Sequence, residues 1–180
     1  MANSEDTLTA GTLIDGARMY AAAADAVNGK FPNALHVLSH LLGTSIELAL
    51  KAYLRHSGCS EKQLIGIGHD LGKLLDHAVQ NGLEWTGSRS FVLKVAGYNY
   101  RERLFVYPRE GNMNIIMPWR LRQMADELIK DSFIAIKGKE MFETHKSDPG
   151  LCIQSEYPHD IDASGWSELV SNGKVRSDSN

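Results

Sequence analysis

The side chains able to do chemistry are concentrated in one stretch, from Pro32 to Arg55, PNALHVLSHLLGTSIELALKAYLR. Leu35, Leu38, Leu42, Ile46, Ala49 and Tyr53 recur at helical spacing, and Val37, Leu41, Leu48 and Leu50 widen that stripe. At about 100° per residue, His36, His40, Glu47 and Lys51 fall within roughly 60° of one another, with Thr44 beside them. A helix that is apolar nearly all round thus carries one narrow polar seam of imidazole, carboxylate and amine, the groups of acid–base chemistry.

Each pair in the seam has a plain structural reading beside a functional one. Glu47 and Lys51 stand at i, i+4 in the favourable order, which on an exposed helix is worth a few tenths of a kcal/mol. If they are buried, the carboxylate needs partners, and Arg101 or Arg103 could supply one. His36 and His40 have the spacing of two helical metal ligands. Glu47 lies about 10 Å further along the axis, and no third ligand is evident, so no metal is expected.

Two further groups lie outside this helix. In His69-Asp70, the Asp70 carboxylate suits the N-cap of a following helix, where the helix dipole favours negative charge. His69 beside it can hydrogen-bond the seam or act as a base. Tyr98, Tyr100, Arg101, Arg103, Tyr107 and Arg109 then make a basic, aromatic patch, with Arg120 and Arg122 following. Arginine forks match phosphate and tyrosine rings can stack on bases, although a solvated hairpin with half-buried tyrosines would read the same way.

These residues are positioned by a predicted series of helices. A first helix is expected from about Leu8 to Asn28, ended by Asn28-Gly29. The central helix opens with Pro32 in its first turn and stops near His56-Ser57-Gly58. Ser60 caps a short helix, and Asp70 opens the next, which Asn81-Gly82 ends. Ser88 to Ala96 makes a shorter helix, with residues 97–101 leading out of it. Leu104–Tyr107 and Asn114–Met117 are β-prone around the turn-like residues 108–112, which predicts a small β-hairpin. Pro118 begins the last helix, to about Phe142. The expected fold is all-α: an up-and-down antiparallel bundle of about five helices over residues 8–143, with a hairpin insertion before the last. Residues 144–180 lose all periodicity and read as a polar, acidic tail, extended or disordered, with Trp166, Leu169 and Val170 available for a short docking turn.

Three pieces taken together, SIELALKAYL at 45–54, GHDLGKLL at 68–75 and YRERLFVYP at 100–108, resemble the HEPN family of small helical domains. The resemblance covers roughly residues 10–143. It implies a helical bundle, commonly homodimeric, that serves either as a metal-independent ribonuclease in toxin–antitoxin, defence or RNA-processing systems, or as a non-catalytic nucleotide-, RNA- or partner-binding module. Catalytic members pair an Arg with a His a few residues later, the two copies meeting at the dimer interface. Here no Arg is followed by a His five to seven positions on; Arg101 or Arg103 is followed instead by Tyr107. A tyrosine, with an ordinary pKa of about 10, is a poor base at neutral pH.

The bulk numbers narrow the field. The chain has 180 residues, 43% of them hydrophobic, which suits one globular domain. A net charge of −3 gives no global field for nucleic acid, and the segment after Thr144, with six acids against three bases, carries all of it. Cys59 and Cys152 match no metal spacing and read as reduced thiols. No apolar run approaches the ~18 residues of a membrane span, and the polar N-terminus is unlike a signal peptide, so a cytoplasmic protein is expected. Nothing calls for a cofactor. The sequence therefore predicts a non-catalytic binding module for RNA, a nucleotide or a cognate partner protein, with Glu47, Lys51, His69, Asp70, Arg101, Arg103 and Tyr107 as binding residues. The alternative is a ribonuclease with a degenerate site, in which Arg103, His69 and Tyr107 are the catalytic candidates.

Overall fold

The computed structural model describes residues 8–85, 88–106 and 116–151. These residues form seven helices and no strand: α1 (Ala10–Lys30), α2 (Leu35–His56), α3 (Glu61–Ile67), α4 (Leu71–Gln80), α5 (Ser88–Arg101), α6 (Pro118–Lys137) and α7 (Lys139–His145). The all-α expectation holds. No described helix is long and apolar enough to cross a membrane.

Helix α2 is the centre of the bundle, packed against α1, α6 and α4 and touching α3 and α5. Its Leu38, Leu42, Ile46, Ala49, Leu50 and Leu54 are all buried. Each fully buried leucine contributes about 1.5–3 kcal/mol relative to an exposed one, so this stripe is the main source of cohesion. Small residues let the neighbours approach closely. Ala17, Ala21 and Ala24 of α1 are buried, and the Ser45 hydroxyl donates to the Ala17 carbonyl at 2.8 Å. Arg55 Nε reaches the Leu8 carbonyl at 2.9 Å, so α1 and α2 run antiparallel. Ser132 Oγ donates to the Ala49 carbonyl at 3.0 Å, and Arg122 lies by Leu38, so α6 runs parallel to α2.

Several local expectations change. Pro32 lies in the turn before α2, which starts only at Leu35. Residues 97–101 do not lead out of a helix; they are the last turns of α5. Gly138, with φ +91°, divides the predicted last helix into α6 and α7. The β-hairpin is not formed on its first side, where Leu104–Val106 lie in turns that continue the end of α5. Residues 107–115, with Tyr107 and Arg109, lie outside the described residues, and Ile116 and Met117 are not in a strand but lead directly into α6. The packed structure continues past Thr144: α7 runs to His145, Asp148 pairs with Arg18 at 3.4 Å, and Leu151 is buried in the core. Residues 152–180, with Trp166, lie outside the described residues.

Candidate functional site

The polar seam of α2 becomes a site because three elements converge on Glu47. The connection from α3 ends at Gly68, whose φ of +71° suits glycine alone, and so delivers His69 beside α2. Asp70 caps α4 as expected, accepting from the Lys73 N–H at 3.1 Å. The last turn of α5 lays Tyr100 across Gly43, where a β-carbon would stand 2.6 Å from the ring. Gly43 is therefore the slot through which Tyr100 reaches the seam.

Glu47 is buried, with 4% of its surface exposed, and is satisfied on both oxygens. Lys51 Nζ donates to Oε1 at 2.6 Å, and the Tyr100 hydroxyl donates to Oε2 at 2.8 Å. His69 Nδ1 stands 3.0 Å from each oxygen. Burial alone would push the Glu47 carboxyl up; the hydrogen bonds from Lys51 and His69, the Lys51 charge and the Tyr100 hydroxyl outweigh it and hold the pKa below its ordinary value. Burial, and then the negative charge of Glu47, push the Tyr100 phenol far above its usual range, so it remains a donor. The neighbouring Thr44 hydroxyl lies 3.1 Å from the phenol oxygen and donates to the His40 carbonyl.

An ionised carboxylate only accepts, so the shared proton resides on Nδ1 of His69. In the neutral imidazole this leaves Nε2 as a bare acceptor. The ring is 65% exposed and lines a cavity of about 260 Å³ with His40, Tyr100, Arg101, Arg103, Phe105 and Val106.

The two arginines of this cavity differ. Arg101 is engaged: Nη1 bonds Asp70 at 3.0 Å and Nε bonds Glu102 at 3.1 Å, and this staple joins the start of α4 to the end of α5. Arg103 has no side-chain hydrogen bond or ion pair among the described residues. Its backbone is the sole non-glycine with positive φ among them, +54°. The Leu104 N–H bonds the Asn99 carbonyl at 2.9 Å and the Arg103 N–H bonds the Tyr100 carbonyl at 3.0 Å. That pattern closes a helix with a left-handed residue, normally glycine. An arginine there costs about 1 kcal/mol of strain.

Glu47, Lys51, His69, Asp70, Arg101 and Arg103 thus form one connected cluster, with Lys51 serving Glu47 rather than lining the cavity. The expected Arg101 or Arg103 partner of Glu47 is replaced by Lys51, His69 and Tyr100. Arg122 does not belong to the patch; it is buried, and its Nε and Nη2 grip Asp25 of α1 at 2.8 and 2.9 Å. It also pairs with Asp126, beside a second cavity of about 280 Å³ between α1, α2 and α6. His36 takes no part in the cluster. Among the described residues no three His, Cys, Asp or Glu side chains are grouped to hold a metal. The role of Gly43 was not anticipated; a glycine midway along an otherwise strong helix was its signal. No family model, curated protein or solved structure matches the chain.

Proposed function

We propose that the chain is a HEPN-like helical module that binds RNA or a nucleotide through phosphate at the His69–Arg103 cavity. One observation carries the reading: an arginine with no counter-charge among the described residues is kept in a strained backbone position, lining a cavity that also presents two imidazoles. A fork-shaped cation of this kind suits a phosphate oxygen pair. The family's Arg…His pair is missing, which favours binding without turnover. A homodimer and a toxin–antitoxin or defence setting follow from the resemblance and belong to the same proposal.

The Glu47–His69 pair favours a second reading, a metal-independent ribonuclease. There His69 Nε2 takes the proton of a ribose 2′-hydroxyl, and the 2′-oxygen attacks phosphorus. The 5′-oxygen leaves and takes a proton from water, giving a cyclic 2′,3′-phosphate, while Arg103 steadies the phosphate charge. A fluorescence titration of labelled single-stranded RNA and of a labelled nucleotide, in EDTA, tests the first reading, and gels of the same samples test the second. Binding without cleavage supports the binding module. Cleavage abolished by His69→Ala supports the enzyme, and no binding of either ligand at low salt rejects both.

A further inference from the structure

The outer face of α5 leads into this cavity and is unusual in its composition. Phe91 is 66% exposed and Tyr98 57%, the two large aromatic rings that this helix turns to solvent. Lys94 and Arg101 are exposed with them. Residues 91, 94, 98 and 101 fall within roughly 80° of one another, so they make a single stripe. Phe91 and Tyr98 are separated by about 10 Å along the axis, at 1.5 Å per residue. The Arg101 guanidinium lies 5.7 Å from the centre of the Tyr98 ring, and so joins the aromatic stripe to the cavity. Lys94 pairs with an equally exposed Asp76 at 2.8 Å, a partner that a stronger anion can replace.

We infer that this stripe is a track for a single-stranded nucleic acid, with Phe91 and Tyr98 each stacking a base and Arg103 taking the phosphate that enters the cavity. The inference rests on the phosphate-binding reading above and extends it to a surface. Alternating rings and cations along one edge fit a ligand with flat bases on a charged backbone. A purely apolar partner would leave Arg101 and Lys94 desolvated, and a free mononucleotide would have no use for Phe91, which lies at the far end of the stripe.

The test is a titration of the full chain with a labelled oligouridylate of about twelve nucleotides, in EDTA, together with an abasic strand of the same length. Phe91→Ala and Tyr98→Ala, both at exposed positions, are each expected to weaken oligouridylate binding about tenfold and to leave the salt dependence unchanged. Neither substitution should alter binding of the abasic strand. Arg103→Gly should weaken both strands. If binding needs Arg103 but ignores Phe91 and Tyr98, the track is overturned and the phosphate site stands. If no strand binds at low salt, the phosphate reading itself fails. If the two aromatic substitutions instead convert a dimer to a monomer by light scattering, the stripe is a protein interface and the track is overturned.

Discussion

The Glu47 carboxylate and the Nδ1 of His69 stand 3.0 Å apart, one buried on the central helix and the other on an exposed ring at the start of α4. The pair fixes the orientation of an imidazole that lines the cavity and leaves its second nitrogen free of the carboxylate. Lys51 and Tyr100 complete the shell around the carboxylate, so the buried charge is balanced and hydrogen-bonded.

Removing that charge should be costly. Glu47→Ala leaves Lys51, Tyr100 and His69 without their acceptor, and a loss of about 3 kcal/mol is expected by urea unfolding. Glu47→Gln keeps the shape but loses the charge, and its loss should be smaller.

Gly43 gives a test of the opposite sign to usual experience. Replacing a helical glycine by alanine generally stabilises by up to about 1 kcal/mol. Here the new β-carbon meets the Tyr100 ring, so Gly43→Ala is expected to destabilise by about 1–3 kcal/mol. In a Tyr100→Ala background the same change should become neutral or favourable. A double-mutant cycle showing no coupling would remove the slot from the account.

Arg103→Gly separates stability from binding. Relief of the left-handed strain should raise the melting temperature by roughly 2–4 °C. Loss of the cation should weaken phosphate ligands. A falling melting temperature would show that the arginine has a structural role beyond those described.

The acid limb of stability should report Glu47. Its carboxyl is held below its ordinary value of 4.5, so its contribution is complete above that pH and is lost as pH falls through the lower folded value. Asp70, also held below its ordinary 3.8 by the Lys73 N–H and Arg101 against the opposing effect of burial, adds to the same limb. Urea unfolding from about pH 6 to pH 3 should fall less steeply for Glu47→Gln than for the wild type.

Much of the helical framework was legible from periodicity and capping: the polar seam of α2, the Asp70 and Ser60 caps and Pro118 at the start of α6 all follow from local rules. That His69 can reach the seam was legible, and it bonds Glu47. That Glu47 is its target was not, because this depends on where the 56–70 connection returns the chain. The arrival of Tyr100 on the same carboxylate depends on how α5 packs across Gly43. The continuation of α5 through Tyr100 was hidden by Gly97, which reads as a breaker. In the structure it gives room for Leu71, whose Cβ would lie 3.2 Å from an added β-carbon. The hairpin expectation rested on β-branched and aromatic residues at 104–107, and Phe105 is instead a buried anchor after the helix closes.

The most direct measurement of the central claim is the salt dependence of single-stranded RNA binding by the wild type and by Arg103→Gly, at matched folded fractions. The account predicts that wild-type affinity falls with salt and that the glycine variant binds more weakly, with a slope lower by about one counterion. Equal affinities and equal slopes for the two proteins would contradict it.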